Sequence, residues 1–143
     1  MIPVVIDTNV VVAGLLTGDN QSPPARILNG MLNGRFIYLL SPDLLAEYRL
    51  VLLRPAIISR HGLSIEEVDD LLEDLAAAAV WREPAKKGNA PDPGDNHLGA
   101  LLNCNPKTAL VTGDRLLLEN PPPGSKILTP REFLEKTFSA SIG

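Results

Sequence analysis

The sequence contains few of the residues that mark disulfide-rich proteins and zinc proteins. Its 143 residues include one cysteine, Cys104, and two histidines. A single cysteine cannot form an internal disulfide, and no cluster of cysteine and histidine is present to favour zinc. We therefore expect Cys104 to be a small buried hydrophobic residue.

We also expect no targeting segment and no broadly basic surface. The apolar run at the start is interrupted by Asp7 and has no basic leader, so we expect neither a signal peptide nor a membrane span, and we expect a cytoplasmic protein. The chain has 17 acidic against 13 basic residues and a net charge of −4, which argues against binding nucleic acid by bulk charge. Aromatic residues make up only 4% of the chain, so no stacking platform for bases is indicated.

The rest of the composition is that of an ordinary globular protein. Hydrophobic residues are 45% and charged residues 21% of the chain, values typical of a folded protein rather than a disordered one. The length suits a single domain, residues 1–143, with one hydrophobic core.

Short apolar runs alternate with segments of helical periodicity along the chain. The apolar runs predict strands at residues 3–6, 36–40, 80–82, 109–112 and 126–128. The periodic segments predict helices at residues 10–16, 25–33, 42–54, 64–79, 92–103, 115–119 and 130–138. The stretch from Pro55 to Gly62 is interpreted as a short connecting piece. Alternating strands and helices predict an α/β sandwich with a mainly parallel sheet.

Four carboxylates stand out because of their positions. Asp7 and Asp114 each follow a predicted strand, and Glu47 lies at the margin of the apolar face of the helix after the second strand. Asp95 shares the core-facing side of its predicted helix with Leu98, three residues later. Since ligands bind at the carboxyl ends of strands in open α/β sheets, all four acids can reach one edge of the sheet.

Such a group of acids is unfavourable unless a cation neutralises it. Two like charges about 4 Å apart repel by about 4 kcal/mol at an effective dielectric of 20, and this repulsion raises carboxyl pKa values. Mg²⁺ or Mn²⁺ prefers carboxylate oxygens and water, so either ion would relieve the repulsion and supply a water nucleophile. The natural reaction of such a site is hydrolysis of a phosphodiester.

Three of the four acids also have a structural alternative. Asp7 and Asp114 could simply cap the helices that follow them. Glu47 could pair with Arg49 or Arg54 on its own helix.

Polar residues beside the first and last acids could orient them by hydrogen bonds. Thr8 and Asn9 follow Asp7, and Thr112 lies two residues before Asp114. Hydroxyl and amide groups at such positions hold metal-binding carboxylates in place, although threonine at a strand end is common.

Three polar residues lie close to Asp95 in the sequence. Asp92 precedes a proline and is interpreted as a helix N-cap that could still support the site. Asn96 and His97 are interpreted as supporting or solvent-facing residues.

Four motifs carry a resemblance to a known family. The segments VVIDTNVVVAGLL, SPDLLAEYRLVL, DPGDNHLGALL and LVTGDRLLL, in this order and at these separations, resemble the PIN domain. They are most similar to the VapC-like ribonucleases, the toxins of toxin–antitoxin pairs. The likeness extends to ILTPREFLE near the end of the chain.

The resemblance implies a three-layer α/β/α fold whose central parallel sheet has the order 3-2-1-4-5. It also implies a Mg²⁺- or Mn²⁺-dependent endoribonuclease site, with the four family acids at Asp7, Glu47, Asp95 and Asp114. RNA is then the expected substrate, and a cognate antitoxin and a homodimer are possible partners.

Two other functions fit the same pattern. A PIN-like fold could serve as a binding module that is catalytically silent. An aspartyl-phosphate enzyme could use Asp7 as its nucleophile, but phosphatases of the haloacid dehalogenase type place a second aspartate two residues later, where this chain has Asn9.

Overall fold

The structure is a computed structural model that describes residues 2–84, 96–103, 107–121 and 124–142. The expectations for Asp92, Asp95 and Cys104 concern residues outside these ranges. Nothing in the structure therefore tests them.

Helices and strands alternate along the described residues, as the sequence predicts. The helices are α1 (Thr8–Leu16), α2 (Pro23–Leu32), α3 (Pro42–Leu52), α4 (Pro55–His61), α5 (Ile65–Ala78), α6 (Asn96–Leu102), α7 (Arg115–Glu119) and α8 (Pro130–Ile142). The strands are β1 (Val4–Ile6), β2 (Leu39–Leu40), β3 (Val80–Trp81), β4 (Ala109–Val111) and β5 (Lys126–Leu128).

All strand pairs among the described residues are parallel, which confirms the predicted α/β class. β4 pairs with β1 on one side and with β5 on the other, while β2 pairs with β3. One parallel bridge, Val4 to Tyr38, connects β1 to the chain just before β2. Because this contact is a single bridge and not a ladder, a continuous sheet in the order 3-2-1-4-5 stays a prediction.

The core surrounds the central strands. Every residue of β1 and β4 is buried, as expected for strands covered on both faces in a parallel sheet. Residues of α2, α3 and α5 belong to the same buried cluster, including Ile27, Leu44 and Leu75, each 0% exposed. This core fixes the carboxyl ends of β1 and β4, where the first and last predicted acids lie.

Capping boxes lie at the starts of α5 and α8. Ser64 Oγ accepts from Glu67 N at 3.1 Å, and Glu67 Oε1 accepts from Ser64 N at 3.0 Å. Thr129 and Glu132 make the same reciprocal pair at 2.9 and 3.0 Å. These caps explain why α5 and α8 begin where the sequence predicts.

The interpretation of residues 55–62 as a connecting piece is wrong, since α4 occupies them. Pro55 is the first helical residue and Gly62 ends the helix at a φ of 69°. Proline at the first position and glycine in the left-handed conformation after the last are helix boundary signals. The sequence therefore contained the information for α4.

No helix in the described ranges combines the length and the apolar character needed to cross a membrane.

Candidate active site

A cavity of about 720 Å³ lies where β1 and β4 end. Its polar wall includes Asp7, Thr8, Asn9, Glu47, Arg60 and Asp114. Its apolar wall includes Val12, Leu16, Val51, Ile57, Leu98 and Leu117. The cavity thus combines carboxylates from three separate parts of the chain with an aliphatic surface.

Asp7 is the most deeply placed of these carboxylates, with 7% of its surface exposed. It follows β1 directly and is the N-cap of α1, where Oδ1 accepts from Thr8 N at 2.8 Å. Its other oxygen, Oδ2, accepts from Thr112 Oγ1 at 2.8 Å and from Asn9 Nδ2 at 3.3 Å. The capping alternative is therefore realised, and the same carboxylate also faces the cavity.

Thr112 and Asn9 connect the ends of β1 and β4. The Thr112 hydroxyl is fully buried and accepts from Asn9 Nδ2 at 3.2 Å and from Asp114 N at 3.0 Å. Asn9 Oδ1 accepts from Gly113 N at 3.0 Å. These bonds hold Asp7 and the turn that carries Asp114 in a fixed relation, which is the orienting role predicted from their positions.

Asp114 also caps a helix and lines the cavity. It is the N-cap of α7, and its Oδ1 accepts from Leu116 N at 2.9 Å. It is exposed, unlike Asp7, and it lines the cavity.

Glu47 reaches the cavity from α3 and contacts residues of two other elements. Its Oε2 accepts a hydrogen bond from the Thr8 hydroxyl, and its Oε1 lies 3.2 Å from His97 Nε2. The alternative pairing with Arg49 is wrong, because Arg49 forms an ion pair with Asp69 at 2.8 Å on the exposed surface of α3 and α5. Glu47 is thus directed toward the site.

The neighbouring residue Tyr48 anchors this part of α3. Its hydroxyl donates to the backbone oxygen of Ile6 at 2.5 Å, and its side chain is 0% exposed. Burial raises the pKa of Tyr48 well above its ordinary value, so the hydroxyl remains a donor. The bond connects α3 to the last residue of β1, directly before Asp7.

The electrostatic environment of Asp7 is unfavourable for its charge. Burial is the largest effect and raises the pKa of Asp7 above its ordinary value of 3.8. Hydrogen bonds from Thr112 and Thr8 lower this pKa in part, while the charges of Glu47 and Asp114 raise it further. The three carboxylates therefore interact although they come from distant parts of the sequence.

The predicted set is only partly described. The structure brings Asp7, Glu47 and Asp114 to one cavity together with Thr8 and Asn9, whereas Asp95 and Asp92 lie outside the described residues. Among the described residues, no three histidine, cysteine, aspartate or glutamate side chains are grouped closely enough to hold a metal ion.

The sequence analysis interpreted His97 as a supporting or solvent-facing residue and did not assign Arg60 to the site. His97 contacts Glu47 with 15% of its side chain exposed, and its Nδ1 is buried without a partner in the described part of the chain. Arg60 lines the cavity from α4, a helix that the sequence analysis did not predict. Had the Pro55 and Gly62 boundaries been used, the spacing of Ile57 and Arg60 would have placed both on one helical face.

The family comparison agrees with this geometry. A family model described as PIN domain matches residues 3–116, a range that contains all the predicted acids and their polar neighbours. A search of curated proteins gives no significant match. Since the matched range covers most of the chain, the protein belongs to the PIN domain family, whose members are generally nucleases.

Proposed function

We propose that the protein is a Mg²⁺- or Mn²⁺-dependent endoribonuclease in which Asp7, Glu47, Asp95 and Asp114 hold the metal. One observation carries the proposal: β1, α3 and the turn after β4 deliver three carboxylates to one cavity. Within the described residues, no lysine or arginine forms an ion pair with any of the three. Carboxylates that share one cavity and form no ion pair with a described lysine or arginine favour a metal-binding function.

The donor chemistry fits a hard divalent cation. Carboxylate oxygens and water are the preferred ligands of Mg²⁺ and Mn²⁺, and each carboxylate oxygen can accept more bonds than it makes here. Three acids alone are not grouped tightly enough in the described part of the chain. The proposal includes Asp95 as the fourth ligand because the resemblance to the PIN domain places the third family acid at this position.

The polar neighbours would keep the carboxylates oriented during turnover. The Thr8 hydroxyl holds Glu47, and the Thr112 hydroxyl holds Asp7. A carboxylate of the set that is not fully engaged would accept the proton of the attacking water. When bound, the metal would lower the pKa of that water and neutralise charge on the scissile phosphate.

Incubation of a mixed RNA pool with Mn²⁺, with Mg²⁺ and with chelator tests the proposal. An endoribonuclease yields internal fragments that depend on the metal and on time. Metal-independent binding with no fragments under any condition would instead identify a binding module without turnover.

We also propose that the protein is the toxin of a toxin–antitoxin pair. The resemblance of the four motifs to VapC-like ribonucleases supports this role. Leu50 of α3 and Ile65 of α5 are 66% and 56% exposed, and such apolar side chains could contact an antitoxin or a second copy of the chain. Induced expression should stop host growth, whereas Asp7→Asn should not; equal growth of both cultures would exclude the toxin role.

A further inference from the structure

The cavity is a groove that follows one face of α1. Thr8, Val12 and Leu16 line it at intervals of four residues, so they form one row along the helix. The nine residues of α1 span about 13 Å at 1.5 Å per residue. The groove is therefore longer than a site for one phosphate requires.

The chemical character of the groove changes along its length. On α1 the lining runs from Asp7 at the N-cap to Leu16. On α3 it runs from Glu47 to Val51. Both helices thus lead from carboxylates to aliphatic side chains. An RNA strand bound in this groove would have its reacting phosphate beside the carboxylates and its neighbouring nucleotide beside the aliphatic side chains.

Arg60 also lines the groove. It belongs to α4, which begins three residues after the end of α3 and packs against α1 and α3. Among the described residues that line the groove, Arg60 is the only lysine or arginine. It forms no ion pair with a carboxylate in the part of the chain that the structure describes.

The backbone near Arg60 is held in place by the next residue. His61 Nδ1 accepts from Leu63 N at 2.9 Å, and His61 Nε2 lies 2.9 Å from the backbone oxygen of Leu52. The first bond requires Nδ1 to be without a hydrogen, so Nε2 donates to Leu52. α4 is therefore fixed to the end of α3, which holds in place the backbone that carries Arg60.

We propose that Arg60 binds a backbone phosphate of the RNA strand next to the phosphodiester that is cut. The proposal rests on the endoribonuclease function. Successive phosphates are at least about 3.4 Å apart along a strand, so a groove of this length can contact more than one. A planar guanidinium binds phosphate through two parallel hydrogen bonds, and Arg60 is the one described cation of the groove that can do so.

The test measures binding of a fluorescently labelled single-stranded oligoribonucleotide of mixed sequence across a salt series. All proteins carry Asp7→Asn, so that cleavage does not interfere. Arg60→Gln should weaken binding about tenfold and reduce the slope of log K against log salt by about 0.7, the value for one lost phosphate contact on a single strand. Arg60→Lys should restore most of the slope, since it keeps the charge.

Arg54→Gln is the matched control. Arg54 is the N-cap of the same helix, makes no side-chain capping bond and is absent from the groove lining. It loses the same charge but should leave the slope unchanged. Equal effects of Arg60→Gln and Arg54→Gln, or no salt-dependent binding by the parent protein, would overturn the proposal.

Cleavage measurements without Asp7→Asn separate this proposal from the function on which it rests. Arg60→Gln should raise KM with little change in kcat, because a flanking phosphate is bound equally before and during the reaction. Metal-dependent cleavage with the same KM in Arg60→Gln, Arg54→Gln and wild type would reject the Arg60 contact and keep the function. A selective loss of binding in Arg60→Gln without any cleavage by wild type would keep the contact and reject the function.

Discussion

The pKa of the Asp7 carboxyl group is subject to two opposing effects. It caps α1 and accepts hydrogen bonds from Thr8, Asn9 and Thr112, which favour the charged form. It is also buried near Glu47 and Asp114, and the resulting pKa lies above the ordinary value. A buried acid with a raised pKa in a cavity is a candidate for function.

The pKa of Asp7 should respond in opposite directions to two substitutions, measured by carboxyl-carbon NMR titration in chelator. Glu47→Gln should lower it, because this substitution removes a neighbouring negative charge. Thr112→Val should raise it, because the side chain keeps its shape and loses the hydroxyl that donates to Asp7. Thr112→Ser keeps the hydroxyl and serves as the control.

If neither Glu47→Gln nor Thr112→Val moved the titration of Asp7, the three side chains would not form the site described here. The proximity of Asp7 to Glu47 would then have no support from experiment.

At the residue scale, the positions of the acids in the sequence predicted that Asp7, Glu47 and Asp114 would meet, and all three line one cavity; their role as metal ligands stays a prediction. Asp7 and Asp114 follow strands and Glu47 follows the cap of α3, so the topology alone brings them together. Arg60 could not be assigned in this way, because its place in the groove depends on the packing of α4 against α1 and α3. The contact of His97 with Glu47 likewise depends on the position of one helix relative to another, which periodicity does not give.

Among the elements, α3 is held to β1 by one buried hydroxyl. Tyr48→Phe removes the bond to Ile6 and should lower the free energy of unfolding by about 1 to 2 kcal/mol. It should also lower cleavage by up to about 100-fold, since small displacements of a reacting group are costly and Glu47 is the adjacent residue. Urea denaturation and initial cleavage rates measure the two effects.

Tyr38→Phe is a matched control for this prediction. Tyr38 is also buried and donates to a backbone oxygen, that of Leu75, at 2.6 Å, with burial raising its pKa to about 12. It connects the residue before β2 to α5, and neither β2 nor α5 lines the groove. Equal losses of activity in Tyr38→Phe and Tyr48→Phe would contradict a specific role of Tyr48 in placing Glu47.

Element boundaries were predictable where local chemistry determines them. The capping boxes of α5 and α8 and the proline at the start of α3 depend on residues close in sequence. Strand lengths were less predictable: residues 36–40 suggested five strand residues, but β2 contains two. Strand pairing depends on neighbours far away in the chain, so the apolar run alone does not set its length.

For the whole molecule, folding brings together negative charges that are far apart in the unfolded chain. The pKa of Asp7 in the native state lies above 3.8, the ordinary value expected for the unfolded chain. At a pH between the unfolded and the native pKa, the native state therefore binds more protons than the unfolded state. The free energy of unfolding contributed by Asp7 therefore decreases as the pH rises through this window. Once Asp7 is ionised, a divalent cation would offset its repulsion with Glu47 and Asp114.

Mg²⁺ or Mn²⁺ should accordingly raise the melting temperature at neutral pH. A ligand that binds only the folded state, at about 100 times its Kd, adds about 2.7 kcal/mol of stability, or roughly 5 to 10 °C for a chain of this size. Glu47→Gln should melt higher than wild type in chelator and gain less from metal. Identical melting of the two proteins with and without metal would count against Glu47 as a ligand.

The central claim is that the buried carboxylate of Asp7 is required for metal-dependent RNA cleavage. Its most direct test compares cleavage of one labelled RNA with Mn²⁺ by wild type, Asp7→Asn and Asp69→Asn. Asp69 is an exposed carboxylate paired with Arg49 outside the groove, so it receives the same substitution as a control. Cleavage by wild type and Asp69→Asn, with only background cleavage by a folded Asp7→Asn, is the predicted result. Cleavage by Asp7→Asn at the wild-type rate would contradict the claim.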